Sequence, residues 1–210
     1  MSGMCMEKKT VTRKELRSII ASLPKTEIHL HLEGLASVDT IWKLKQKHNL
    51  DFEGISSKND LYKRFQVNTL NDFIDLFINV VQNSFQKEED ILLLIKDARD
   101  YLMRNNISYA EIFFAPSKFV RNGFSYEKIV EILDEGAQKL FKEDKLQIKY
   151  IMDVSRTFGP ENAMKNLDLT LKHKKDSVIG IGLGGAENKG PAKDYKKVFE
   201  KARKEGLHTV

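Results

Sequence analysis

Cysteine is almost missing from this chain. Cys5 is the only one among 210 residues, so no disulfide framework and no cysteine-rich metal centre can form. Such usage points to a reducing cytoplasm. No apolar run approaches the roughly 20 residues needed to span a bilayer. Met1–Lys9 holds no apolar stretch of signal-peptide length, and a soluble, untargeted protein is expected. The net charge of +5 is spread over lysines at helical spacing, such as Lys139, Lys142, Lys145 and Lys149. No zinc finger, ribonucleoprotein motif or aromatic-interleaved basic stripe accompanies them, so neither nucleic acid nor membrane is an expected partner. Internal repeats and low-complexity tracts are also lacking.

What remains is an ordinary globular composition, 41% hydrophobic and 31% charged, with a clear alternation of strand and helix patterns. Thr12-x-x-Glu15 reads as a capping box opening a short helix with Leu16, Ile19, Ile20 and Leu23 on one side, stopped by Pro24. A strand is expected over 26–32 and helices over 37–48, 60–65, 70–85 and 88–105. A second strand follows over 107–115, a helix over 125–141 and a third strand over 147–154. Pro160 and Pro191 each follow a glycine and fit the first turn of a helix. Between those helices lies a fourth strand, 178–183, and Gly206 closes the last helix before the start of a fifth. The alternation implies a parallel sheet with crossover helices. Only 32–106 is too long for one crossover and reads as a helical insertion.

His29-Leu30-His31-Leu32-Glu33-Gly34 ends the first strand. Side chains alternate along a strand, so His29 and His31 share a face, at the strand's carboxyl end where barrel enzymes hold their chemistry. Two imidazoles suit zinc, but a catalytic zinc takes about three protein ligands and a water. On spacing alone, a His-x-His pair is more often two unremarkable histidines than a ligand pair.

The segment from Leu23 to Gly34, LPKTEIHLHLEG, resembles the amino-terminal signature of the adenosine deaminase family of amidohydrolases. Leu70 to Phe77 resembles the helix covering its purine pocket, Tyr109 to Pro116 its second barrel strand, and Gly180 to Glu187 its fourth. The resemblance runs from about residue 23 to the end and implies an α/β fold. That fold is the amino-terminal half of a (β/α)8 TIM barrel, with strands one to four, the insertion between strands one and two, and the start of strand five. Residues 1–22 would be an extension and helix, and 23–210 a partial domain. The family pattern continues beyond Val210 with a further zinc histidine, an aspartate ligand, the glutamate acid and the histidine base. The resemblance therefore implies no catalytic acid or base in this chain and one Zn2+ at an incomplete site.

Carried over residue by residue, the resemblance implies His29 and His31 as metal ligands, and Glu33, Leu70, Phe73, Ile74, Phe77 and Gly185 as substrate contacts. Gly185 would offer its backbone N–H to the purine. The implied activity is zinc-dependent hydrolytic removal of the 6-amino group of adenosine or a related 6-aminopurine, releasing ammonia. Glu33 stands where nucleoside-specific relatives often have aspartate, and Phe113 and Ala115 where many have arginine and serine. Adenosine, a 5′-modified adenosine, adenine and an aminofutalosine-like nucleoside therefore all stay open. Alternatives are a non-catalytic half-barrel remnant, self-associating through exposed edges, and a different mononuclear amidohydrolase. Arg156 could face the site or pair with an acid, and His48, His173 and His208 are expected at the surface.

Overall fold

The computed structural model describes residues 11–210; Cys5 and Met1–Lys9 lie outside the described residues. Five parallel strands form one sheet in chain order. They are β1 (Lys25–His31), β2 (Ile107–Phe114), β3 (Gln147–Ser155), β4 (Val178–Gly184) and the short β5 (His208–Thr209). The first four strands lie within a residue or two of their expected places, and β5 begins after Gly206 as expected. β1 runs one residue earlier than expected, because Leu32 already has helical backbone and leads into the 3-10 turn Glu33–Leu35.

Helices α1 (Arg13–Ser22), α2 (Val38–Lys47), α3 (Lys58–Arg64) and α4 (Leu70–Leu76) lie on or before the long first crossover. α5 (Ile91–Arg104), α6 (Pro116–Arg121), α7 (Tyr126–Asp144), α8 (Gly159–His173) and α9 (Lys196–Lys204) follow. The box of Thr12 and Glu15 caps α1 as expected, yet α1 buries none of its residues. The single helix expected over 70–85 is interrupted: α4 passes into a π-helical segment, Phe77–Val81, before Gln82–Ser84. Pro160 stands in the first turn of α8. Pro191 instead precedes a 3-10 turn, Ala192–Tyr195, that leads into α9.

Strand alternation divides the sheet into two faces. Ala110, Ile112 and Phe114 of β2, with Ile148, Tyr150 and Met152 of β3, join the main core against α2, α5 and α7. α5 and α7 approach so closely that a Cβ at Gly136 would lie 2.6 Å from Ile95 Cδ1. Val154, Ile181 and the inner residues of α8 and α9 form a second core. The opposite face carries His29, His31, Phe113 and Asp153, and above its carboxyl end lies α4.

Two expectations at the surface are corrected. His48 packs inward, its Nε2 2.8 Å from Asp90 Oδ2, where the carboxylate also accepts the backbone N–H groups of Gln86 and Lys87. His173 is only 14% exposed and sits 3.6 Å from Glu127. His208 is exposed as expected.

Candidate active site

The last residues of β1 set the chemistry. His29 and His31 have ring centroids 5.5 Å apart, and both rings lie against Phe113 on the neighbouring strand, at 4.5 and 5.2 Å. Burial, and then the neighbouring His29, hold the His31 imidazole below its usual range. A neutral imidazole keeps the lone pair that a metal needs. The donor set fits part of a zinc site: two nitrogen ligands two positions apart on one face of one strand, His31 half-buried and His29 exposed. No cluster of three or more His, Cys, Asp or Glu side chains that could hold a metal occurs among the described residues.

Beside the pair lies a cavity of about 210 Å³. His31 opens onto it, and Leu70, Phe73, Ile74, Phe77 and Ile78 form its apolar roof. The aromatic rings of Phe73 and Phe77 are 5.6 Å apart. Thr69 and Asp72 make a reciprocal capping box that fixes the start of α4. The helix is otherwise lightly anchored, burying only Leu76, so its apolar face is left to the cavity. Gly185 lines the opposite wall with φ +98°, a left-handed conformation that favours glycine.

Glu33 departs from expectation. It lines no part of the cavity and is fully buried, so it is neither a direct wall residue nor a solvated loop acid. The 3-10 turn after Leu32 folds its side chain inward, where Oε1 accepts the Ala115 N–H at 3.0 Å and the Gln82 amide at 3.2 Å. Both donors belong to cavity-lining residues, so Glu33 fixes the wall from behind. Its Oε2 has no partner, and burial pushes its carboxyl up to about 7.

Sequence reasoning missed Asp153, which lines the cavity from β3 and is 5% exposed. Burial first, then the charge of Glu33, push its carboxyl up to about 7, against the pull of Arg156 and the Gly184 N–H. The available signal was one acid at an inward position of an otherwise apolar strand, Tyr150-Ile-Met-Asp-Val154. Gln82, Ser117, Lys118 and Phe158 also line the cavity without having been singled out. Among the described residues Arg156 pairs with no acid; its guanidinium donates to the carbonyls of Leu183 at 2.7 Å and Gly190 at 2.9 Å, tying β3 to the loop after β4.

The geometry now has a match among known proteins. The family model described as adenosine deaminase matches residues 24–210. The chain belongs to the adenosine deaminase family. An adenine deaminase of Vibrio parahaemolyticus is 29% identical over 199 residues, covering 93% of this chain and 57% of that protein. An N6-methyl-AMP deaminase of Danio rerio is 30% identical, covering 88% of this chain and 53% of that one. A zinc-bound amidohydrolase from Burkholderia ambifaria superposes with a TM-score of 0.79 at 23% identity, over 97% of this chain and 55% of that structure. The fold is thus a partial TIM barrel of adenosine deaminase type, and the chain spans little more than half the length of the relatives it matches.

Proposed function

We propose that residues 24–210 form the amino-terminal half-site of a cytoplasmic purine deaminase, which removes the 6-amino group of a 6-aminopurine and releases ammonia. One observation carries this: the His29-x-His31 pair ends a parallel strand and opens, through His31, onto an apolar cavity roofed by α4. The purine deaminases among the relatives support the same chemistry. In this reading His29 and His31 hold one Zn2+ with donors from outside the described residues. When bound, zinc supplies the Lewis acidity that makes water nucleophilic near neutral pH.

The chain's own residues bind and orient the substrate. Phe73, Ile74 and Phe77 lie along a flat base and keep water from it, strengthening every polar contact beneath. Leu70, the most exposed of the roof residues, guards the rim. Gly185 offers a backbone N–H to the ring, and its lack of a side chain lets the ring approach. Glu33, acting through Gln82 and Ala115, holds the wall beside His31 in one position. The general acid and base are supplied from beyond Val210.

The test is bound zinc and ammonia release from adenine, adenosine and AMP, for the 210-residue chain and for the chain extended by the family's carboxyl-terminal half. Zinc retention lost in His29→Ala and in His31→Ala, with turnover of at least one 6-aminopurine by the extended protein, is the expected result. An extended, folded protein that neither binds nor deaminates any purine overturns the proposal. A second reading, a purine-binding remnant without turnover, is favoured by the two-member ligand set among the described residues. It predicts purine binding without ammonia in both proteins.

A further inference from the structure

The proposed function leaves one buried polar group of the cavity without a task. Asp153 projects from β3, lines the cavity and is 5% exposed, yet among the described residues its Oδ1 has no hydrogen-bond partner. An unsatisfied buried carboxyl oxygen is costly and persists where something else supplies the donor.

The neighbouring strand is shaped around this group. Asp153 is paired in register with Gly182, and Ser155 with Gly184. A Cβ at Gly184 would fall 2.2 Å from Asp153 Oδ2, and one at Gly182 would fall 2.8 Å from Oδ1 and 2.6 Å from Phe113 Cε1. Two glycines on β4 therefore clear the space into which the carboxyl extends. Neither has a left-handed backbone that would require glycine for its own sake. Arg156, whose charge reaches the carboxyl, spends its Nε and Nη1 on backbone carbonyls and, among the described residues, makes no hydrogen bond to it.

From these observations we infer that Asp153 is a specificity-determining residue, whose Oδ1 accepts a hydrogen bond from the imidazole N–H of a free 6-aminopurine or from a sugar O–H of its nucleoside. The inference rests on the purine reading above and adds to it which part of the substrate class the chain reads. Asp153 is the one carboxylate among the described cavity-lining residues, so it is a purely accepting side chain when ionised and discriminates ligands by their donors. A free 6-aminopurine carries such a donor on its imidazole ring, and a nucleoside carries it on the sugar. 9-Methyladenine carries neither of these donors, and the 6-amino group it keeps is common to all three ligands.

The experiment is equilibrium binding of adenine, adenosine and 9-methyladenine to the full 210-residue chain, followed by calorimetry. Asp153→Ala and the closer-sized Asp153→Asn are compared with the parent, and circular dichroism melting verifies that each is folded. We expect adenine or adenosine to bind the parent at least about tenfold more tightly than 9-methyladenine. In Asp153→Ala that gap falls to about twofold or less, and in Asp153→Asn it narrows. Preference for adenine identifies the imidazole N–H as the donor, and preference for adenosine the sugar hydroxyl. A gap that is absent in the parent, or that persists undiminished in both folded variants, overturns the role of Asp153 while leaving the purine reading intact. Failure of the parent to bind any of the three overturns the role of Asp153, and the purine reading falls with it when the extended protein also binds none.

Discussion

Asp153 carries a stability penalty that depends on pH. In the unfolded chain an aspartate titrates near 3.9, whereas burial in the fold, with the nearby Glu33, raises this one to about 7. The folded state therefore binds the extra proton between those values, and stability falls as pH rises through that window before levelling above about 7. The penalty from this one group is at most about 4 kcal/mol. Asp153→Asn is expected to be more stable than the parent at pH 8 and to lose that advantage near pH 4.5. Urea denaturation at both values checks this, and a pH-independent difference would remove Asp153 as the cause. The same carboxyl makes Gly184 sensitive. Gly184→Ala drives a methyl group against Asp153 Oδ2 and is expected to cost about 1–3 kcal/mol. In the Asp153→Ala background, where the obstacle is removed, most of that cost disappears. Additive costs in the double variant would separate the two residues.

Among the elements, the loop after β4 depends on one side chain. The two charge-assisted bonds from Arg156 to Leu183 and Gly190 hold that loop to the end of β3, and Tyr195 donates its hydroxyl to the Arg156 carbonyl from the following turn. Arg156→Ala is expected to lower stability by about 1–3 kcal/mol and to raise hydrogen exchange over residues 184–190. Unchanged exchange there would mean the loop is held by other contacts. This tether also shows where the sequence stopped being informative. Strands and helices repeat every two or 3.6 residues, and the first four strands were legible from that periodicity to within a residue or two. The π-helical segment Phe77–Val81 was not, because an apolar pattern runs through it and no proline or glycine marks it. The histidine pair was legible because its two residues are neighbours in the chain. Glu33 was not, since its partners Gln82 and Ala115 stand 49 and 82 positions away. The same distance in sequence hid Asp153, whose space is made by glycines on another strand.

At the scale of the whole molecule, an open sheet creates a problem that a closed barrel lacks. Strands in a barrel pair on both sides, but here, among the described residues, β1 pairs only with β2 and β5 only with β4. The unpaired strand β1 carries one exposed apolar side chain, Ile28 at 63%, and the segment before it leaves Leu16, Ile19, Ile20 and Leu23 about half exposed. An unpaired strand together with exposed apolar side chains favours association through backbone pairing and burial together. Sedimentation velocity of the 24.2 kDa chain is expected to give an average mass that rises with protein concentration. Added salt should not reverse the effect, because the contact is apolar and charge screening leaves it intact. Ile19→Lys combined with Ile28→Lys changes only exposed positions, so it should leave the melting temperature nearly unchanged while shifting the population toward monomer. A parent that sediments as a monomer at all concentrations would show that the edge is protected by its own twist and charge. An association that the double lysine variant does not weaken would move the contact to β5, at the other edge of the sheet.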